Sequence, residues 1–147
     1  MNTKEQIEND IKEAMRAKDE LRKRTLRMAL AAIKLKEVDK REALDETETL
    51  AVIQKEVKSR QETIVDAERA NRPEQVAESR AEIEILEAYL PESLTSEELE
   101  TMAKEAIDEV GATSMREMGQ VMKVLMPRLE GRATGSEASQ SVRKLLG

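Results

Sequence analysis

Apolar residues recur three and four positions apart along almost the whole chain, the spacing of a helix face rather than the alternation of a strand. Thr3 is placed to cap a first helix that carries Ile7, Ile11, Ala14 and Met15 and ends near Lys18-Asp19. The pattern resumes at Glu20 with Leu21, Thr25, Met28, Ala32 and Leu35 along one face, flanked by Leu26, Ala29 and Ile33, and predicts a second helix to about Val38. A third helix starts at Asp45 or Thr47, carries Leu50, Ile53, Val57, Ile64 and Val65, and ends near Ala70. Asn71-Arg72-Pro73 is a break with proline suited to a helix first turn, and Val76, Ile83, Leu86 and Leu90 mark a fourth helix behind it.

Tyr89-Leu90-Pro91-Glu92-Ser93-Leu94-Thr95 then interrupts the pattern. Pro91 disfavours helical geometry at Leu90, and Thr95 with Glu98 reads as a capping box. Two domains are expected on that basis, an N-terminal up-and-down helical bundle over residues 1–91 and a small three-helix domain over residues 92–147. In the second, Leu99, Met102, Ala103, Ala106, Ile107 and Val110 share a helix face, and Gly111 stands where a left-handed cap is wanted. Thr113 or Ser114 caps a helix with Met115, Met118, Met122, Leu125 and Met126 on one side, ending before Pro127. After a Gly131–Gly135 turn, Ser136 caps a last helix with Val142, Leu145 and Leu146. The fold class is all-α.

Composition narrows the chemistry. The 147 residues contain no Cys and no His, which removes disulfides, thiolate and imidazole metal ligands, a thiol nucleophile and the commonest general base. Tyr89 is the sole aromatic, so the core is built from aliphatic residues with eight Met available as filler. No catalytic residue, metal site or cofactor is assigned. The absence of a leader-like or membrane-spanning apolar run gives the expectation of a cytoplasmic protein with no membrane partner.

The net charge of −6 is unevenly spread. Residues 16–41 hold ten Lys/Arg against four Asp/Glu, residues 42–114 seven against twenty, and residues 115–147 six against three. Within the first basic zone, Lys23, Arg27 and Lys34 fall within about 40° of one another on a helix, and Arg16 joins them if the helix is continuous. Such a stripe either follows a phosphate backbone or is an ordinary solvated face. Arg116, Gln120 and Lys123 form a polar strip at i, i+4 and i+7, opposite a Met-bearing face that is either core or a groove for a partner helix. In the turn from Arg128 to Ser136, Arg128 and Arg132 lie beside two glycines and a helix start; the loop either contacts a phosphate or simply connects two helices. The carboxylates Glu82, Glu84, Glu87, Glu97, Glu98 and Glu100 read as exposed helical positions rather than a cation site.

Gly119-Gln120-Val121-Met122-Lys123, then Gly131-Arg132-Ala133 and a final Val142-Arg143-Lys144-Leu145-Leu146, resembles the C-terminal tail of the GatB component of tRNA-dependent amidotransferases. Arg27-Met28, Ala70-Asn71-Arg72, the run from Glu84 to Glu92, and Glu109-Val110-Gly111-Ala112 resemble standalone GatB/YqeY-type proteins, so the resemblance covers essentially the whole chain. Two features depart from the tail: the stretch between Lys123 and Gly131 is longer, and Arg132 stands in place of the usual Lys. In that enzyme the tail contacts tRNA, while the chemistry belongs to a separate cradle domain and a partner amidase. The resemblance therefore implies an accessory protein binding tRNA or structured RNA through Lys123, Arg128, Arg132, Arg143 and Lys144, with Arg116 and Gln120 nearby and Lys23, Arg27 and Lys34 as a second surface. The family label of carbon–nitrogen ligase with glutamine as amido donor does not extend to a reaction by this chain. The alternative is a protein-interaction module docking on an amidotransferase, amidase or translation enzyme without touching RNA.

Overall fold

Six of the seven α-helices begin on a polar cap or a proline that supplies what the first turn lacks. The computed structural model describes all 147 residues, as α1 (Thr3–Ala17), α2 (Glu20–Lys40), α3 (Glu46–Arg69), α4 (Pro73–Glu87), α5 (Ser96–Val110), α6 (Met118–Leu129) and α7 (Gly135–Leu146), with a 3-10 turn at Met115–Glu117 and no strand. Asn2 rather than Thr3 caps α1, its side chain accepting from the Glu5 amide at 2.9 Å. Asp19 caps α2. Asp45 and Glu48 form a reciprocal capping box on α3. At α5 only half of that arrangement is made, Thr95 accepting from the Glu98 amide at 3.1 Å. The complete box lies instead at α7, where Thr134 pairs with Glu137 and displaces the expected Ser136 cap. Gly111 closes α5 at φ 75°, a left-handed conformation that costs glycine little.

Two compact units result, Met1–Leu90 and Pro91–Gly147. In the first, α1 packs on α2 and α3 on α4, each pair joined by a turn of two or three residues that keeps neighbours antiparallel. Its core comprises Ile7, Ile11, Leu26, Ala29, Ile33, Val52, Ile53, Val57 and Leu86. Thr25 is buried beside them because its hydroxyl donates to the Leu21 carbonyl at 2.8 Å. The second unit closes α5, α6 and α7 around Leu99, Ala103, Ala106, Val121, Leu125, Leu129, Ala133, Ala138 and Val142.

The structure corrects the choice of face on α2. Two apolar arcs overlap there, and the one buried is Thr25, Leu26, Ala29 and Ile33, whereas Met28 and Leu35 are 51% and 65% exposed. Met15 and Val65 are exposed too, as are Met115 and Met126 in the second unit, so the methionines frame that core more than they fill it. Helix α6 also runs through Pro127 to Leu129. Proline has no amide to give the Lys123 carbonyl, but the loss falls in the last turn, where Glu130 (φ 49°) and Gly131 (φ 78°) already turn the chain away.

Polar latches fix how the helices of the first unit are assembled. Arg60 is buried on α3 and donates to Glu56 at 2.8 Å on its own helix and to Glu82 at 2.6 Å on α4. Burial alone would lower the guanidinium pKa, but the hydrogen bonds to Glu56 and Glu82 outweigh it and raise the pKa above its usual value. Glu82, read from sequence as surface, is thus one half of a buried ion pair. At the other end of the bundle the Thr3 hydroxyl and amide meet Glu46, while Glu37 accepts from Lys4 at 2.7 Å and from the Leu44 amide at 3.2 Å. Those two bonds hold the Glu37 carboxyl below the usual carboxylate range. Tyr89 donates to Asp10, which lies 3.8 Å from Arg22, and so ties the end of α4 to α1 and α2.

Truncating Arg60 to Ala strands two carboxylates near the core and is expected to lower unfolding free energy by about 3–5 kcal/mol in denaturant titration. A second expectation concerns Tyr89, whose pKa burial and the Asp10 hydrogen bond push up to about 12 against the opposing Arg22 charge. Because this is the only tyrosine, absorbance at alkaline pH reports it alone, and its midpoint should move back toward 10 in Asp10→Ala. The raised value means that the folded state holds the phenol proton more tightly. Tyr89 therefore contributes stability fully below pH of about 10 and loses it as pH rises toward 12.

Candidate nucleic-acid interface

The second unit presents its polar strip because of the phase of α6. Val121, Leu125 and Leu129 point into the core, and at 100° per residue the opposite side carries Arg116, Gln120 and Lys123, all exposed. Arg116 comes from the 3-10 turn that leads into α6, so the strip extends over about 10 Å at the helical rise. Neither cation has a carboxylate in ion-pair reach, since the salt bridges of this unit use Arg128, Arg132 and Lys144. On α7, Ala138 and Val142 are buried, which leaves Arg143 and Lys144 exposed on the other side.

The remaining candidates are already engaged within the protein. Arg128 pairs with Glu109 at the end of α5. Arg132 donates from Nε to the Glu92 carbonyl at 2.9 Å and lies 3.6 Å from Glu98, while its own carbonyl accepts from the Leu94 amide at 2.9 Å. The Gly131 turn is therefore bound to the 92–94 segment by backbone and side chain together, and the arginine fastens it. Lys144 stands 4.0 Å from Glu100 with its side chain 76% exposed, a weak surface pair that frees readily.

In the first unit, Lys23 is half-buried and bonded to Glu20 at 2.9 Å, whereas Arg27 and Lys34 are exposed on α2 with no salt bridge. Arg16 pairs with Glu13. The structure thus places Arg116, Gln120 and Lys123 on one face, Arg143 and Lys144 on the next helix, and Arg27 with Lys34 on a separate unit. Sequence reasoning missed Arg60 and the Asp10–Tyr89 latch. A signal for the first existed, because Arg60 falls in the apolar register between Val57 and Ile64.

Architecture and surface together describe an all-helical protein with a small C-terminal helical module carrying unpaired cations, and no helix is long and apolar enough to cross a membrane. The chain belongs to the YqeY-like protein family, whose model matches residues 4–146. It is 37% identical over 99 residues to Altered inheritance of mitochondria protein 41, mitochondrial, of Lachancea thermotolerans, covering 67% of this chain and 53% of that one. A protein of the same name from Kluyveromyces lactis is 39% identical over 84 residues, covering 56% and 45%, and one from Pyrenophora tritici-repentis is 27% identical over 149 residues, covering 96% and 79%. The chain spans about half the length of the two yeast relatives.

These relatives correct the expectation of a cytoplasmic protein. Their names place them in mitochondria, a destination set by amphipathic, Arg-rich leader segments rather than by the composition of a folded domain. The lack of a long apolar run therefore carries no weight for the compartment.

Because Arg116 and Lys123 are exposed and make no salt bridge, replacing both with Gln should leave thermal stability within about 0.5 kcal/mol. Leu125→Ala, on the buried side of the same helix, should cost about 2–5 kcal/mol in the same melt.

Proposed function

We propose that this chain is an accessory protein that contacts tRNA or another structured RNA, laying the face of α6 that bears Arg116, Gln120 and Lys123 along the phosphate backbone, with Arg143 and Lys144 extending the contact from α7. The observation that carries this reading is that Arg116, Lys123 and Arg143 are exposed and make no salt bridge, in a unit where the other arginines are engaged by acids or backbone. Unpaired cations are what release counterions from a phosphate chain on binding. The likeness of this unit to the tRNA-contacting GatB tail of the amidotransferases supports RNA over other polyanions. Recognition is of shape and backbone, because Tyr89, the single aromatic, is engaged with Asp10 and no platform for stacking bases exists. Arg132 acts here by fastening the Gly131 turn, and Arg128 by holding α6 to α5.

The test is fluorescence anisotropy of labelled bulk tRNA against the full chain across a salt series, with double-stranded RNA as the control. Salt-sensitive binding with preference for tRNA is expected. The triple variant Arg116→Gln, Lys123→Gln, Arg143→Gln should bind about tenfold more weakly or worse, and its log-log salt slope should fall by about 2 to 3, since each lost phosphate contact removes roughly 0.7–0.9. An unchanged slope, or no binding at low salt, sinks the reading.

A further inference from the structure

The outward side of α2 carries large apolar side chains that the core of the first unit leaves exposed, although the sulfur of Met28 also meets the Arg60 guanidinium at 3.8 Å. Met28, Leu35 and Val38 are 51%, 65% and 72% exposed, and Ala31 lies open between them. Their spacing of three, four and three residues is that of the a and d positions of a coiled-coil seam. One flank is basic: Arg27 and Lys34 stand seven residues apart on α2, and Arg41 follows as the left-handed cap at the helix end. The salt bridges of α2 and its C-terminal end use Arg22, Lys23, Arg24 and Lys40, so none of these three has an ion-pair partner. Lys34 feels Glu37 only at longer range, and Arg27 touches Met15 Sδ at 3.6 Å, which adds another exposed apolar side chain to the patch.

We propose that α2 docks an acidic amphipathic helix of a partner protein. Apolar residues of that helix at heptad spacing pack on Met28, Ala31, Leu35 and Val38, and Asp or Glu at its flanks meets Arg27, Lys34 and Arg41. Two features select this occupant. Phosphate contacts gain nothing from Leu35 and Val38, whereas a helix laid in register buries both, and the flanking charges then choose its sign. A second copy of α2 is a poor match, because the seam and its flanks offer a single exposed acid, Asp39. The surface lies on the first unit, so its test is separate from that of the RNA-contacting strip.

The probes are two labelled synthetic helices with Leu and Ile at the a and d positions, one with Glu and one with Lys at the flanking e and g positions. Against the full chain, the Glu-flanked helix is expected to bind with micromolar affinity and the Lys-flanked one at least about tenfold more weakly. The paired change Leu35→Glu with Val38→Glu should abolish binding without moving the melting midpoint, since both side chains are exposed. Arg27→Glu with Lys34→Glu should reverse the preference between the two helices. Failure of the Glu-flanked helix to bind, equal binding of both helices, or indifference to the Leu35/Val38 change would overturn the proposal. So would two further results: loss of tRNA binding in the Arg27/Lys34 variant without any helix binding, which assigns the face to RNA, or self-association in sedimentation that the Leu35/Val38 change dissolves, which assigns it to a second copy.

Discussion

Burying the Arg60 guanidinium costs several kcal/mol in desolvation, which close, hydrogen-bonded carboxylates offset. Glu56 and Glu82 meet that condition at 2.8 and 2.6 Å, and the bond to Glu82 ties α3 to α4. The surrounding core offers less directional packing. It is made of Ile, Leu, Val and Ala without Phe or Trp, and apolar packing of about the right volume sets stability before it sets a unique arrangement. Further latches repeat the device elsewhere: Thr3 with Glu46, Lys4 with Glu37, and Tyr89 with Asp10 each join residues 33 to 79 positions apart in sequence. A chain poor in aromatics thus uses polar bonds to choose one arrangement among several that its apolar faces would accept.

The same economy accounts for the charge. Residues 1–90 hold 18 Lys/Arg against 21 Asp/Glu, and residues 91–147 hold 7 against 10, so neither unit is basic in sum. Many of the acids sit at helix starts, as caps or in first turns, where the helix dipole favours them. Others bind specific cations, as Glu78 does Arg24, Glu109 does Arg128 and Glu98 does Arg132. The acidic middle of the sequence is therefore largely committed to internal structure. Which cations are left without an ion pair follows from pairing in three dimensions rather than from the net charge.

Helix existence was legible in the sequence, because seven stretches kept one period and Pro73, Pro91 and Gly111 punctuated them by known stereochemistry. Two physical causes lie behind the errors of face and of cap. On α2 both possible apolar arcs fit a period of 3.6, and only the neighbouring helices decide that Ala29 and Ile33 go inside while Met28 and Leu35 stay out. At caps, nearby residues with capping side chains compete, and Asn2 and Thr134 prevail over Thr3 and Ser136, each in an extended conformation (ψ 171° and 160°). The basic candidates split for a third reason. Arg128 and Arg132 look as free as Lys123 in one dimension, yet their partners Glu109, Glu98 and the Glu92 carbonyl lie 19 to 40 residues away. Nothing in local spacing shows such pairs.

Cations left unpaired do not all invite the same ligand, and the ground on which they stand separates them. Arg116 and Lys123 flank Gln120 on the polar side of α6, away from the buried Val121 and Leu125, so an approaching polyanion meets charge and hydrogen-bonding groups with little apolar surface to desolvate. Arg27 and Lys34 stand beside Leu35 and Val38, both more than 60% exposed. Water loses little by leaving those aliphatic groups, and a phosphate chain gains nothing by replacing it, so the free energy available on that face comes from apolar burial, with charge selecting the partner. Equal formal charge on two helices therefore supports two different kinds of contact, and the distinguishing variable is the hydrophobicity between the cations rather than their number.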